Sequence, residues 1–134
     1  MKKLKSIVLA VAVMCITQNI VYAKNDESNE TTAHTLEKFG LGEQITSMAG
    51  YNIRARRIIV PAGTKIDAHS HATTPGIVFI ESGSIIEYRG DQTRKMHKGD
   101  TLVEDVSTVH SYFNDSTEDC VVIAIDLPQD REQK

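Results

Sequence analysis

Cysteine is scarce in this chain of 134 residues. It contains two cysteines, Cys15 and Cys120, and the first lies in an N-terminal segment that we predict to be removed. A single remaining thiol excludes an intrachain disulfide, even in an oxidising compartment. Stability must therefore come from a hydrophobic core, helped by a bound metal or a partner subunit.

The sequence also lacks an excess of basic residues. It has 15 lysines and arginines against 18 aspartates and glutamates. If Lys2, Lys3 and Lys5 are removed with the N-terminal segment, the net charge is near −6 with neutral histidines. Such a charge argues against binding nucleic acid or an anionic membrane through a broad basic surface.

Long hydrophobic runs are nearly absent. The run at residues 6–16 has about half of the ~20 residues that a membrane-spanning helix needs. It follows three lysines and precedes Val21-Tyr22-Ala23, a pattern typical of a cleaved secretory signal. We therefore predict a signal peptide at residues 1–23, export to the periplasm or medium, and no stable membrane anchor after cleavage. Cys15 leaves a lipoprotein open, although Met14 is bulky where a lipidation site has a small residue.

The remaining chain is long enough for one domain and too short for two. Residues 24–36 are polar and acidic, which predicts a flexible leader in which His34 is solvated. We place the domain at residues 37–128 and a polar tail at 129–134. Residues 37–50 show no clear period and are expected to form a short strand or irregular cover.

From Tyr51 onward the pattern is consistently β. Short segments rich in Val, Ile and Thr alternate with turns that contain Gly, Pro or Asp, and no segment has a helical stripe. This predicts an all-β sandwich, jelly roll or barrel. The expected strands are 52–60, 65–71, 76–81, 84–88, 94–97, 101–104, 111–113 and 120–127.

Two histidines mark the candidate site. Residues two apart on a strand point to the same face, so His69 and His71 can bind one ion together. Among five histidines, such a pair also arises by accident, so the spacing alone does not decide.

The surrounding residues resemble the two signature motifs of the cupin superfamily. Gly63, His69-Ser70-His71 and Gly83 match the first motif, and Gly99-Asp100, His110 and Asn114 match the second. The resemblance implies a single-domain cupin-type jelly-roll barrel, also called a double-stranded β-helix, with a metal bound by His69, His71 and His110.

Two positions depart from the motifs. The family's glutamate falls at about Pro75 or Gly76, and Asp105-Val106-Ser107 replaces its Pro-x-Gly. The expected ligand set is therefore three histidines, which leaves a divalent ion with its full charge and favours an anionic ligand. Imidazole donors discriminate poorly among Fe, Zn, Mn, Ni and Cu, so the ion's identity stays open.

Glu104 and Tyr112 are the candidate catalytic residues. Glu104 is close to His110 in sequence and can complete the metal shell, orient a ligand histidine or act as a general base; the alternative is a solvent-facing glutamate at a strand end. Tyr112 shares a strand face with His110, which places its hydroxyl near the cavity or in the core.

Other polar residues have simpler expected roles. Asn114 is expected to fix a strand end, Asp105 to form a turn, His97 to be exposed and Cys120 to be buried and inert. Arg54, Arg56 and Arg57 would receive an anionic substrate if they pointed inward, but arginines on a solvated strand face are commoner.

Three functions are compatible with these residues. The first is a metal-dependent enzyme of the oxygenase type acting on a small, anionic substrate, since cupins without the glutamate include thiol dioxygenases. The second is a non-catalytic module that binds or senses a small molecule. The third is a structural barrel with a decayed metal site. Exposed edge strands further suggest a homodimer.

Overall fold

The computed structural model of the protein describes residues 29–130, and in that range the chain forms nine strands. The predicted signal peptide, residues 1–23, and residues 131–134 of the predicted tail lie outside the described residues. The strands are β1 (Thr32–Gly40), β2 (Asn52–Val60), β3 (Lys65–Ser70), β4 (Gly76–Ser82), β5 (Ser84–Arg89), β6 (Gln92–His97), β7 (Thr101–Glu104), β8 (Val109–Phe113) and β9 (Cys120–Asp126).

The strands form two antiparallel sheets. The larger has the order β1-β2-β9-β4-β7 and the smaller the order β3-β8-β5-β6. The only helical residues in the described part of the chain are two 3-10 turns, Leu41–Glu43 and Thr46–Met48, and no helix there has the length and hydrophobicity to cross a membrane. The predicted all-β class and jelly-roll architecture are confirmed.

The core lies between the two sheets and follows the two-residue period of the strands. On β9, Cys120, Val122 and Ala124 point inward and are buried; on β4, Val78 and Ile80 do the same. Removal of these apolar side chains from water is the main stabilising contribution in a domain without a disulfide. The remaining buried apolar side chains of this cluster are Val60, Ile85, Met96 and Tyr112.

The turn between β4 and β5 requires glycine. Gly83 has a φ of 76°, in the left-handed region that side chains with a Cβ rarely adopt. A Cβ at this position would lie 2.5 Å from the carbonyl oxygen of Asp119. The turn predicted at residues 81–83 therefore depends on both the conformation and the small size of Gly83.

β1 corrects part of the predicted leader. Residues 32–36, expected to be flexible, pair with β2 in the register Thr32↔Ile59 to Thr35↔Arg56. Their side chains are exposed, so they leave no hydrophobic pattern in the sequence. The strand is formed by backbone hydrogen bonds at the sheet edge, and its β-branched threonines favour that conformation.

The outer face of the larger sheet carries exposed apolar side chains on adjacent strands. Ile77 lies between Ile125 on β9 and Val103 on β7 in the strand register. Ile77, Val103 and Ile125 are 52%, 59% and 39% exposed, and Phe79 on the same face of β4 is 41% exposed. Contiguous exposed apolar surface of this kind commonly marks an interaction site.

Candidate metal centre

Three histidines converge at one end of the barrel. His69 lies on β3 opposite His110 on β8, and His71 follows β3 with its backbone N–H donating to the Thr108 carbonyl at 3.0 Å. One ring nitrogen from each histidine lies within 4.8 Å of those of the other two. The structure thus brings together all three predicted metal ligands in a cluster that could hold an ion.

The hydrogen bonds of the three rings define their tautomers. The Nδ1 atom of His69 lies 2.8 Å from the Asp67 carbonyl oxygen, and that of His71 lies 2.9 Å from the Thr74 carbonyl oxygen. The Nδ1 atom of His110 lies 2.8 Å from Glu87 Oε1. Since carbonyls and ionised carboxylates only accept, each Nδ1 carries the proton and each neutral ring keeps its lone pair on Nε2.

The Nε2 atoms of His71 and His110 are 3.0 Å apart. With both Nδ1 atoms protonated, two lone pairs face each other across this distance, an arrangement that a shared cation stabilises. A neutral imidazole whose other nitrogen donates to an oxygen is also the usual form of a metal-bound histidine. The residues present therefore fit a divalent ion.

Burial favours the neutral, metal-binding form of His110. The side chain is fully enclosed, and this burial lowers its pKa, although the hydrogen bond to Glu87 opposes the shift. Only unprotonated imidazole can coordinate a metal. His71 is also buried, and His69 is half-buried at the cavity wall.

Glu104 is buried beside the histidines, at the end of β7. Its Oε1 lies 3.5 Å from His110 Nε2, and its Oε2 lies 3.5 Å from His71 Nδ1. The solvent-facing alternative for Glu104 is therefore wrong. In the β4–β7 register, Glu104 is the partner of Gly76, so the carboxylate lies next to the position where the family's glutamate is missing.

Gly76 has no room for a side chain. A Cβ there would lie 2.6 Å from the Ile125 carbonyl oxygen and 3.0 Å from Asp126 Cα, both in the backbone of β9. The close approach of β4 to β9 thus gives a physical reason for the absence of a glutamate at this position.

Tyr112 contacts both Glu104 and His110. Its hydroxyl donates to Glu104 Oε1 at 2.9 Å, and its ring centroid lies 4.5 Å from that of His110. Burial, together with the charge of Glu104, strongly raises the pKa of Tyr112, so the hydroxyl keeps its proton. Both predicted catalytic residues therefore lie next to the histidines, and their roles remain predictions.

Glu87 is a buried partner of the histidine cluster that the sequence analysis missed. It is buried on β5 and accepts hydrogen bonds from His110 Nδ1 and from Arg89 Nε. Ile85 precedes it by two residues and points into the core. A glutamate at a core-facing position of a strand was the available signal, because buried carboxylates normally have a specific partner.

His69 and His71 line a cavity of about 330 Å³, near the lower end of the range for small-molecule sites. Its wall includes Glu104 and Tyr112 beside the histidines. Apolar side chains, including Ile58, Val78, Ile80 and Val122, form much of the rest, and Arg56 adds a charged group from β2.

The three arginines of β2 divide between the two sheet faces. Arg54 donates to both carboxylate oxygens of Asp126, each at 3.0 Å, and Arg56 Nη2 donates to Asp126 Oδ2. Asp126 is fully buried, and its hydrogen bond raises the pKa of Arg54. Arg57 instead pairs with exposed Glu81. The expectation of a purely solvated arginine face thus fits Arg57 and not Arg54 or Arg56.

The remaining motif residues have structural roles. Asn114 is completely buried and donates to the carbonyls of Val60 and Glu118. Asp105 accepts bonds from Ser107 and Thr108 in a turn, and these bonds lower its pKa. His97 is exposed. These observations confirm the expected strand-end, turn and surface positions.

Comparison with known families gives one match over most of the barrel. Residues 56–126 match the sequence model of the cupin domain. No curated protein sequence matches the chain.

Many solved structures share the fold. KdgF from Halomonas sp. is 14% identical, with a TM-score of 0.59 over 81% of this chain and 86% of that one. The Cnp3 cupin domain of Schizosaccharomyces pombe is 17% identical, with a TM-score of 0.59 over 75% of this chain and 61% of that one. A cupin 2 conserved barrel domain protein from Salinispora arenicola CNS-205 is 19% identical, with a TM-score of 0.56 over 73% and 76%. At these identities the likeness shows the fold alone.

Proposed function

The chain belongs to the cupin superfamily, and from that premise we propose that it is an exported, metal-dependent enzyme of the oxygenase type that acts on a small anionic substrate. The observation that carries the proposal is the clustering of the three histidines beside a cavity, with one ring nitrogen of each within 4.8 Å of the others and each Nδ1 next to an oxygen acceptor. A bound divalent ion supplies Lewis acidity and, if it is redox-active, access to dioxygen chemistry.

The residues around the histidines supply the acid–base chemistry. Tyr112 holds Glu104 Oε1 through its hydroxyl, which leaves Glu104 Oε2 to accept a proton from the substrate. Oε1 lies 3.5 Å from His110 Nε2 and Oε2 lies 3.5 Å from His71 Nδ1, so retention or loss of metal in Glu104→Gln distinguishes a general base from a fourth ligand. The apolar side chains of the cavity wall lower the local polarity, which strengthens electrostatic contacts with the substrate.

Metal content is the first test. The purified protein is expected to contain nearly one divalent ion per chain, and the His69→Ala and His71→Ala variants to lose most of it. His97→Ala is the matched control, because His97 is exposed and away from the cluster. Equal metal in all four proteins, or none in the unaltered protein purified from its own compartment, would contradict the metal assignment.

Turnover is the second test. Oxygen consumption by the iron-loaded protein is measured with a panel of small thiols, carboxylic acids and phenols. Loss of a general base typically lowers the rate by about 10²–10⁴-fold, so Glu104→Gln should lose turnover while retaining its metal, and exposed Glu81→Gln should not. Tight binding without turnover would favour the non-catalytic binding module.

Export rests on the N-terminal sequence, which lies outside the described residues. Fractionation of expressing cells is expected to place the protein outside the cytoplasm, with Lys24 as its first residue by mass spectrometry. An unprocessed cytoplasmic chain would refute this part of the proposal.

The apolar outer face of the larger sheet supports the proposed homodimer. A second copy can cover the same aliphatic residues through a two-fold interface, as most homodimers do. Sedimentation equilibrium should give a dimer for the unaltered protein and a monomer for Phe79→Arg, with exposed Lys98→Glu as control. A monomer at all concentrations would refute the homodimer.

A further inference from the structure

Two buried side-chain polar atoms among residues 29–130 have no hydrogen-bond partner, and both belong to residues that line the cavity. They are Arg56 Nε and Thr31 Oγ1. A buried polar atom without a partner is costly and uncommon, and a bound ligand is one way to satisfy it. Both residues line one cavity, and the two atoms have almost no accessible surface, so a ligand that shifts either side chain slightly reaches these atoms and completes their bonds.

Arg56 is oriented for this role by the sheet. It precedes Ile58 by two residues on β2, so both point toward the cavity. Its Nη2 is held by Asp126, whose two oxygens also receive Arg54. One carboxylate between two guanidinium groups leaves a net charge of about +1 at this wall, and the Nε–H of Arg56 as an unused donor.

The histidines and Arg56 lie on facing sheets. His69 and His110 belong to the smaller sheet and Arg56 to the larger one, and the apolar residues Val78, Ile80 and Val122 line the same cavity. Glu104 contributes the opposing negative charge in this wall, which disfavours a multiply charged anion. A ligand that matches this surface has an apolar body and one singly charged end.

We propose that Arg56 binds the carboxylate of a small monocarboxylic acid through its Nε–H, with the acid's apolar body in the cavity and its reactive end toward the histidines. Thr31 supplies a hydroxyl to the same ligand. This inference deepens the proposed function by naming the substrate class. It places substrate recognition on the larger sheet, apart from the metal ligands.

Calorimetric titration with butyrate, and with butyramide as its neutral isostere, tests the proposal. It is carried out on zinc-loaded and metal-free protein. Butyrate should bind the unaltered protein in both forms and butyramide much more weakly. Loss of a charge-assisted hydrogen bond should weaken butyrate binding at least about tenfold in Arg56→Gln. Arg57→Gln is the matched control, because this neighbour points to the other face of β2 and pairs with exposed Glu81.

Arg56→Lys separates recognition from folding. It keeps a cation for Asp126 but removes the Nε–H, so it should remain folded and still bind butyrate more weakly. Butyrate affinity in Arg56→Lys and Arg56→Gln equal to that of the unaltered protein would overturn the inference, as would a preference for inorganic phosphate over butyrate. Zinc content reports separately on the proposed function: it should be unchanged in both Arg56 variants. Absence of zinc in the unaltered protein would refute the metal assignment while leaving Arg56-dependent binding testable.

Discussion

Glu87 is expected to tune metal affinity without touching the ion. Its carboxylate fixes the His110 proton on Nδ1 through the 2.8 Å hydrogen bond and thereby points the Nε2 lone pair at His71 Nε2. Its charge also increases the donor strength of the ring. Removal of such a partner typically lowers metal affinity about 10- to 100-fold, which is roughly 1.4–2.7 kcal/mol.

Two substitutions separate the contribution of the Glu87 charge from that of its hydrogen bond to His110. Glu87→Gln keeps an oxygen that can accept from His110 but removes the charge, so we expect a loss near the lower limit, about tenfold. Glu87→Leu removes the acceptor as well and leaves the ring free to rotate or change tautomer, so we expect a loss near 100-fold. Arg89 loses its carboxylate partner in both variants, but it is partly exposed and can be hydrated.

The assay is competition for zinc against a chromophoric chelator, with circular dichroism to verify folding. Glu81→Gln is the control, since it removes an exposed carboxylate whose pairing with Arg57 is remote from the site. If both Glu87 variants are folded and bind zinc as tightly as the unaltered protein, the hydrogen bond to His110 does not orient a metal ligand and the reasoning fails.

Three further predictions concern stability and reactivity. Gly76→Ala should lower the free energy of unfolding by about 1–3 kcal/mol in urea titrations, because its Cβ would meet the β9 backbone. Gly40→Ala is the control and should have little effect, because no atom lies within 4 Å of the added Cβ. Asn114→Ala should cost at least about 2 kcal/mol in the same assay, since the buried Val60 carbonyl and the partly buried Glu118 carbonyl lose their donor. An unchanged midpoint would show that water replaces the amide. Burial raises the pKa of Cys120 to about 11. At pH 8 the thiol should therefore stay protonated and resist iodoacetamide in the native protein, but react with it in urea. Rapid alkylation of the native protein would refute its burial.

The strands from β2 to β9 could be predicted because segments rich in Val, Ile and Thr alternate there with turns that contain Gly, Pro or Asp. Val78 and Ile80 alternate with outward residues, and the intervening turns contain glycines with positive φ, such as Gly83 and Gly99. β1 could not be predicted in this way, because an edge strand with exposed side chains is held by backbone hydrogen bonds that any sequence can make. Thus Thr32 and Thr35 resemble linker residues in composition while pairing with β2.

The metal ligands and their supporting residues differ in how visible they are in the sequence. His69, His71 and His110 stand at motif spacing, so they can be identified from the chain alone. Glu87 and Arg56 reach the site only because of the strand register and because the two sheets face each other. Both features depend on pairing between segments that are distant in sequence. Their positions along the strands are a usable signal, because residues two apart share a strand face. Glu87 lies two residues from core-facing Ile85, and Arg56 lies two residues from core-facing Ile58.

The relation between Gly76 and Glu104 shows how a carboxylate on a neighbouring strand can lie beside a motif position that has no side chain. Because β4 approaches β9 too closely for a side chain at Gly76, no substitution there can restore a carboxylate unless β9 moves. Glu104 is the register partner of Gly76 on the neighbouring strand and brings a carboxylate to the same end of the barrel. It approaches the histidines from β7, where Oε1 accepts from Tyr112 and lies 3.5 Å from His110 Nε2, and Oε2 lies 3.5 Å from His71 Nδ1. The carboxylate is within reach of both the histidine nitrogens and a ligand in the cavity, so the metal content and the turnover of Glu104→Gln decide between a fourth ligand and a general base.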